Sequence, residues 1–186
     1  MDMDGSGDGQ SHEVGRVLVA RDAIARRVAE LGRDIADVYA ERELTIVAVL
    51  AGSLIFLADL IRHIPGRLRI CLVSVSSYPG ASTTSTGRPK LDPPPELPSG
   101  GDVLIVDDIL DTGQTLDTLV RHVRPQAASV RTCVLLKKKR KISPLLHPDF
   151  VGFDIGEEFV VGYGLDFDNL YRNLPDIRVL RPGEVA

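Results

Sequence analysis

The residues best suited to chemistry lie together in the middle of the chain. The apolar run 103–106 is followed by two carboxylates, Asp107 and Asp108, and a third, Asp111, comes three residues later. Small and hydroxyl-bearing residues at 112–115 then open a predicted helix. Backbone N–H groups and the positive end of a helix attract anions, so residues 112–115 predict a cradle for a phosphate group.

The three carboxylates predict a ligand rather than a helix cap. A lone Asp before a helix is most often an N-cap. Three carboxylates at the end of a buried strand are costly, however, without a cation or hydrogen-bond donors beside them. Open α/β sheets bind ligands outside the carboxyl ends of their strands. Asp107 and Asp108 therefore suit ribose hydroxyls or a hydrated Mg²⁺.

Other interpretations of this segment are less well supported. It lacks the second and third glycines of a dinucleotide-binding fingerprint and the Gly-Lys-Ser/Thr of a P-loop. The pair Asp107-Asp108 resembles the acidic pair of a response-regulator receiver domain, but here it lies past the middle of the chain. The tripeptide 111–113 resembles that of the aspartic proteases, which requires β-rich surroundings rather than the helix predicted here.

The elements that must position these residues follow from hydrophobic periodicity. Apolar residues three and four positions apart predict an amphipathic helix over 21–40. The continuous apolar, β-branched run 44–50 suits a strand buried on both faces. Further strands are predicted at 68–75, 103–106 and 130–136, helices at 54–62 and about 115–121, and short strands and turns over 150–180. This order predicts an α/β domain with an open sheet and crossover helices.

Two segments stand outside this alternation. Residues 76–101 hold six of the 12 prolines and a Ser/Thr-rich stretch. Connections of this length are typically lids or binding loops, so we predict a lid. Residues 1–13 are mostly small and polar, which predicts a disordered tail before a domain at 14–186.

Composition and charge exclude several classes of protein. The 186 residues are 44% hydrophobic and 26% charged, with a net charge of −4. These values are typical of a globular domain and argue against nucleic-acid binding, which needs a basic face. No apolar run approaches the ~20 residues of a membrane span, and the acidic N-terminus is unlike a signal peptide. We expect a cytoplasmic protein without nucleic-acid or membrane partners, in which Cys71 and Cys133 are small core residues.

Four segments, taken in order, carry a resemblance to a known family. They are Leu50-Ala51-Gly52-Ser53 with the helix after it, Ser77-Tyr78, the acidic segment 107–115, and 159–175. Over 14–181 the chain resembles the type I purine phosphoribosyltransferases, in their hypoxanthine-guanine branch. The resemblance implies an open, mainly parallel twisted sheet with flanking helices, and a small hood built from the chain ends. It also implies a homodimer or homotetramer.

The implied reaction is a step of purine salvage. The 5-phosphoribosyl group passes from phosphoribosyl diphosphate to hypoxanthine or guanine, with Mg²⁺ as cofactor and diphosphate as the leaving group. Asp111 is implied as the general base that takes the proton from N7 of the purine. The residues implied to bind the 5′-phosphate are Asp111, Thr112, Gly113, Gln114 and Thr115.

The resemblance also assigns the remaining ligand contacts. Ala51, Gly52 and Arg172 are implied to face the diphosphate. Asp107 and Asp108 are implied to hold the ribose hydroxyls or Mg²⁺, and Asp166 a second Mg²⁺. Ser77 and Tyr78 are implied to belong to a lid that closes and excludes water.

The purine contacts are implied at four positions. Lys138 aligns with a lysine that donates to the 6-oxo group, and Lys137 is the alternative register within the basic run 137–141. A lysine only donates hydrogen bonds, which selects oxo over amino at this position. Phe159 is implied to stack on the purine and Val160 to offer backbone groups to its edge, with Asp166 nearby.

Three positions depart from the family pattern. Ala51 and Gln114 stand where basic residues are common, and Asp107 stands where Glu is usual. The loss of two cations predicts weaker binding of phosphoribosyl diphosphate and a greater dependence on Mg²⁺. Two alternatives stay open: a xanthine-preferring enzyme, and a non-catalytic sensor of phosphoribosyl diphosphate. Retention of Asp111 and Lys138 favours an enzyme, because a sensor needs neither group.

Overall fold

The computed structural model describes residues 12–40, 42–76, 90–92, 94–95, 97–139 and 147–182. The helices of this part of the chain are α1 (Arg21–Tyr39), α2 (Leu54–Leu60), which continues into a 3-10 turn (Ile61–His63), and α3 (Gln114–Val123). The strands are β1 (His12–Val19), β2 (Leu44–Leu50), β3 (Leu68–Ser76), β4 (Lys90–Asp92), β5 (Asp102–Leu110), β6 (Ser129–Lys138), β7 (Phe150–Ile155), β8 (Val160–Val161) and β9 (Ile177–Pro182). None of these helices is long and apolar enough to cross a membrane.

The main sheet has the strand order β4-β3-β2-β5-β6-β7. Its five longer strands are parallel, and β4 pairs antiparallel at one edge. Alternate side chains of the central strands face opposite layers. Ile46 and Ala48 of β2 pack in the cluster formed with α1 and α2, whereas Val47 and Val49 pack in the cluster formed with α3. This arrangement confirms the predicted sheet with flanking helices.

A second sheet joins the two ends of the chain. Its order is β1-β9-β8, and both pairings are antiparallel. It forms the predicted small hood. Here β1 begins at His12, opposite Pro182, so residues 12 and 13 lie in a strand rather than in the predicted tail 1–13. The strand was missed because its hydrogen-bond partners lie at the other end of the chain.

Two further differences concern the site. The strand predicted to end at 106 continues to Leu110, so Asp107 and Asp108 lie inside β5, where Asp107 pairs with Val134 of β6. Within the predicted lid 76–101, the short β4 pairs with the end of β3. Ser77 and Tyr78 lie outside the described residues. Cys133 is buried, as expected, and Cys71 is partly exposed.

Candidate active site

A cavity of about 260 Å³ opens at the carboxyl end of the main sheet. Val49 of β2 and Val75 of β3 form one side of it. Residues from the segment 107–116 form the rest of its lining. They include six residues that the sequence analysis singled out: Asp107, Asp108, Asp111, Thr112, Gly113 and Thr115. The structure therefore brings most of the acidic segment around one cavity.

The loop between β5 and α3 has the geometry of an anion cradle. Gly113 adopts φ 81°, a left-handed conformation that favours glycine, and this turns the chain into α3. The Gln114 N–H points toward Thr112 Oγ1 at 3.5 Å, and the side chain of Gln114 is exposed. The amino end of α3 thus lies at the cavity, where its N–H groups and helix dipole favour a negative charge.

The two adjacent carboxylates form the acidic wall of the cavity. Asp107 is only 6% exposed, and its Oδ1 accepts the N–H of Asp108 at 3.0 Å. Asp108 Oδ1 accepts the N–H of Ile109 at 2.9 Å. Burial, and then the neighbouring Asp108, raise the pKa of Asp107 well above its usual value. Burial also raises the pKa of Asp108, although the nearby Arg172 acts in the opposite direction.

This donor set fits Mg²⁺. Within the described residues, no three His, Cys, Asp or Glu side chains converge into an all-protein metal cage. Mg²⁺ does not require one, because it is usually held by one or two carboxylates together with water and substrate oxygens. Asp107 and Asp108 supply two such carboxylates at the cavity wall, and a cation there would offset the cost of burying them.

The turn after β2 contacts this acidic wall through glycine. The Leu50–Ala51 peptide bond is cis, Ala51 is exposed, and Gly52 follows it. A Cβ placed on Gly52 would lie 1.7 Å from Asp108 Oδ2. A Cβ placed on Gly164 would lie 2.3 Å from the carbonyl oxygen of Gly52. Gly52 is therefore held between Asp108 on one side and Gly164 on the other, with no room for a side chain at either glycine.

Asp166 and Arg172 form one ion pair in the turn that contains Gly164. Arg172 Nη2 lies 2.8 Å from Asp166 Oδ1, and Arg172 Nη1 donates to the carbonyl of Gly164 at 2.7 Å. Asp166 Oδ2 accepts the N–H of Asn169 at 2.9 Å. Neither charged side chain lines the cavity. Arg172 is linked to the cavity wall through Gly164, which lies against Gly52. Arg172 is also close enough to Asp108 to lower the pKa of that carboxyl.

The two neighbouring lysines at the end of β6 face different surroundings. Lys138 Nζ lies 3.0 Å from Asp111 Oδ2, and the Lys138 side chain is only 8% exposed. Lys137 Nζ lies 3.0 Å from Asp154 Oδ1 of β7. Successive side chains of a strand point to opposite faces, which explains the division. Lys138, rather than Lys137, is the lysine that contacts Asp111.

Phe159, predicted to stack on the purine, and Val160, predicted to offer backbone groups to its edge, lie at the hood and not among the residues that line the cavity. Phe159 is 51% exposed, and its ring meets the edge of the Phe167 ring at a centroid distance of 5.6 Å. Its carbonyl accepts the N–H of Leu180 at 2.9 Å. Val160 is buried and pairs with Val179 of β9. The hood backbone therefore holds this aromatic ring at the surface.

Some residues of the site were not singled out from the sequence. Gly164 and its neighbour Tyr163 form part of the turn against Gly52, and the Gly-Tyr-Gly pattern at 162–164 was the available signal. The apolar lining residues Val49 and Val75 belong to ordinary strand patterns. Nothing local separates them from other core valines.

Comparison with known proteins agrees with this geometry. Residues 18–168 match the family described as the phosphoribosyl transferase domain. A hypoxanthine-guanine phosphoribosyltransferase of Bacillus subtilis (strain 168) is 42% identical over 176 residues, which are 92% of this chain and 96% of that protein. The crystal structure of a hypoxanthine-guanine phosphoribosyltransferase from Bacillus anthracis superposes with a TM-score of 0.83 at 36% identity, over 92% of this chain and 99% of that one.

A third likeness is to a solved protein that is named for three bases. A solved hypoxanthine-guanine-xanthine phosphoribosyltransferase has a TM-score of 0.80 at 30% identity, and the match covers 90% of this chain and 98% of that one. All three proteins match across nearly their whole length. The chain therefore belongs to the phosphoribosyl transferase family, within its hypoxanthine-guanine branch.

Proposed function

We propose that this chain joins hypoxanthine or guanine to the 5-phosphoribosyl group of phosphoribosyl diphosphate, in a Mg²⁺-dependent reaction of purine salvage. The observation that carries this proposal is the pairing of Lys138 with Asp111 at 3.0 Å, next to the cavity. The O6 and N7 atoms of a 6-oxopurine are neighbours on one edge of the ring. A donor and an acceptor side by side are complementary to that edge when N7 carries the proton.

The bond changes assign a role to each of these two groups. N9 of the base bonds to C1 of the ribose as the bond from C1 to the diphosphate oxygen breaks. The proton on N7 passes to the carboxylate of Asp111, which acts as general base. Lys138 donates to O6. Their mutual contact at 3.0 Å puts a donor beside an acceptor, which supports these two roles.

The remaining residues of the cavity suit the sugar and its phosphates. The cradle at 112–115 would bind the 5′-phosphate through backbone N–H groups and the amino end of α3. Gly52 would let the backbone approach the diphosphate closely, and Arg172 would balance charge on that side. Asp107 and Asp108 would bind the ribose hydroxyls directly or through the metal.

Mg²⁺, when bound, neutralises charge on the leaving diphosphate. Asp107 and Asp108 would hold it, and Asp166 would hold a second ion. Closure of the lid residues Ser77 and Tyr78 over the sugar would exclude water from the reacting centre. We further propose that the enzyme is cytoplasmic and acts as a homodimer or homotetramer.

Xanthine is the second candidate base. One solved relative is named for hypoxanthine, guanine and xanthine together. All three bases carry the 6-oxo group, so Lys138 does not distinguish among them. The three bases differ in the substituent at position 2, which backbone groups usually recognise, so contacts at that position decide which base is preferred.

The test is an assay with four bases. Purified protein, Mg²⁺ and phosphoribosyl diphosphate are mixed separately with hypoxanthine, guanine, xanthine and adenine, and the nucleotide formed is measured. We expect product with hypoxanthine, guanine or both, and none with adenine. A clear preference for xanthine would support the second candidate. Turnover with adenine alone would contradict the role of Lys138, and no turnover with any base would favour a non-catalytic sensor.

A further inference from the structure

A partly buried hydrogen bond links the turn at 162–172 to helix α2. The hydroxyl of Tyr163 donates to Asp59 Oδ2 at 2.7 Å, across 104 positions of sequence. Tyr163 is 8% exposed. Burial and the adjacent carboxylate raise the pKa of this phenol far above its usual value, so the hydroxyl keeps its proton and stays a donor. Neither residue belongs to the contacts assigned above to substrate or metal.

The turn that carries Tyr163 is tightly bonded to itself. Gly162 and Leu165 exchange backbone hydrogen bonds of 3.0 and 3.1 Å. The N–H of Tyr163 donates to the Leu174 carbonyl at 2.7 Å, and the N–H of Gly164 donates to the Arg172 carbonyl at 3.0 Å. These bonds link the backbone around Tyr163 directly to Arg172 and Leu174. The contact of the Tyr163 hydroxyl therefore affects the position of Arg172 as well.

The same turn directly contacts residues 51–53, the loop between β2 and α2 that is proposed to bind the diphosphate and is called the Gly52 loop below. Gly164, the residue after Tyr163, lies against the carbonyl oxygen of Gly52 so closely that a Cβ would stand 2.3 Å from it. Asp59 belongs to the helix that begins immediately after this loop, and the Leu57 N–H donates to the Ser53 carbonyl at 2.7 Å. Adjacent residues of the turn thus contact the loop and the helix that follows it.

We propose that Asp59 and Tyr163 are a positioning pair that sets the turn 162–172 against the Gly52 loop, and thereby controls the affinity for phosphoribosyl diphosphate. The proposal rests on the proposed function for the identity of this ligand. The loop binds the diphosphate through closely approaching backbone, so its spacing from Arg172 must be held. The hydrogen bond fixes that spacing from outside the site.

Two of the predicted purine contacts, Phe159 and Val160, are held independently of this turn. The Phe159 carbonyl accepts the Leu180 N–H, and Val160 pairs with Val179, so strand β9 anchors both residues. Loss of the Tyr163 hydroxyl leaves these backbone bonds in place. The expected defect therefore falls mainly on phosphoribosyl diphosphate, and the KM for the base should change much less.

The test compares five variants in the full chain, one of which is the double variant Tyr163→Phe/Asp59→Ala. Tyr163→Phe removes the donor, Asp59→Ala removes the acceptor, and Asp59→Asn keeps an oxygen acceptor. Tyr39→Phe is the matched control, because the Tyr39 hydroxyl is also buried and lies 3.4 Å from the Val103 carbonyl, in the core. The Kd of phosphoribosyl diphosphate with Mg²⁺ is measured by calorimetry, and KM and kcat by steady-state kinetics with hypoxanthine.

We expect Tyr163→Phe and Asp59→Ala each to raise the Kd and KM for phosphoribosyl diphosphate on the order of tenfold, as loss of a hydrogen bond to a charged group would. The double variant should be no worse than either single variant. Asp59→Asn and Tyr39→Phe should stay within about twofold of wild type. The KM for hypoxanthine should stay within about twofold of wild type in all of them.

Three results would overturn the proposal. They are an unchanged Kd in Tyr163→Phe, additive effects in the double variant, and a hypoxanthine KM that rises as much as that for phosphoribosyl diphosphate. Hydrogen exchange without ligand separates this proposal from the proposed function. Amides of 52–54 and 162–165 should exchange faster in Tyr163→Phe than in Tyr39→Phe, even if wild type proves inactive with every base; equal exchange would contradict the pair.

Discussion

Lys137 and Lys138 show how one position in a strand decides between a surface charge and a site residue. Lys138 is nearly buried beside Asp111, whereas Lys137 pairs with Asp154. The sequence left both open, because five consecutive basic residues carry no alternation to define a register. Pairing of β6 with its two neighbouring strands supplies the register, and that information is not local.

Lys138→Met tests this assignment, with Lys137→Met as its matched control. Removal of the donor to O6 should raise the KM for hypoxanthine about tenfold or more, because the 6-oxo group would lose a charged partner. Lys137→Met should stay within about twofold, since exposed ion pairs stabilise little. Steady-state kinetics with hypoxanthine gives both values. Equal effects of the two substitutions would contradict the assignment.

Gly52→Ala tests the close approach of backbone to the acidic wall. The new methyl group would lie 1.7 Å from Asp108 Oδ2, so the loop or the carboxylate must move. We expect the free energy of unfolding to fall by about 1–3 kcal/mol, as for an overpacked site. The Kd for phosphoribosyl diphosphate should rise at least about tenfold.

Gly101→Ala is the control for this substitution, because its Cβ would meet the Pro98 carbonyl at an ordinary 3.5 Å. Denaturation curves and calorimetry provide the two readouts. Equal changes in the free energy of unfolding and in the Kd for the two variants would contradict the close contact between Gly52 and Asp108.

At the scale of elements, local patterns located most helices and strands but not all of their ends. The prediction of α1 over 21–40 ends one residue beyond the observed helix, and β2 is predicted as observed. The sequence predicts that β5 ends at 106, because Asp107 and Asp108 are polar, whereas pairing with β6 extends the strand to Leu110. Local polarity does not predict where this strand ends, because its last residues are held by pairing with a neighbouring strand.

Helix α1 begins with a cap that comes from the hood. Ala20 offers no side chain to the first turn, and Asp176 Oδ1 accepts the N–H of Arg21 at 2.9 Å. We expect Asp176→Ala to lower the free energy of unfolding by about 1 kcal/mol, through the lost cap and the lost charge at the helix start. Asp34→Ala, at an exposed position of the same helix, should change it by less than about 0.5 kcal/mol. Urea denaturation measures both, and indistinguishable variants would refute the capping role.

At the scale of the whole molecule, the parallel sheet explains why the site was partly predictable. Ligands of open α/β sheets bind at the carboxyl ends of the strands, and the acidic segment occupies such an end. The contacts of Gly52 with Asp108 and Gly164 were not predictable, because they join three distant segments. The hood was visible only through family resemblance, since its strands come from both ends of the chain.

Ligand binding should stabilise the whole molecule. Phosphoribosyl diphosphate with Mg²⁺ at about 100 times its Kd should add roughly 2.7 kcal/mol to the free energy of unfolding and raise Tm accordingly. Excess EDTA should remove most of this shift, because Asp107 and Asp108 would then face the diphosphate without a cation between them. Differential scanning calorimetry measures the shift. A Tm increase that EDTA leaves intact would contradict the role given to Mg²⁺.

The central claim is that Asp111 takes the purine proton beside Lys138 while the phosphoribosyl group is transferred. The most direct measurement is the rate of nucleotide formation from saturating hypoxanthine and phosphoribosyl diphosphate, in wild type and in Asp111→Asn. The account predicts turnover by wild type and a kcat at least about 10²-fold lower in the variant, as loss of a general base requires. The Kd for phosphoribosyl diphosphate should change little. Equal rates in the two proteins, or a wild type inactive with every 6-oxopurine, would contradict it.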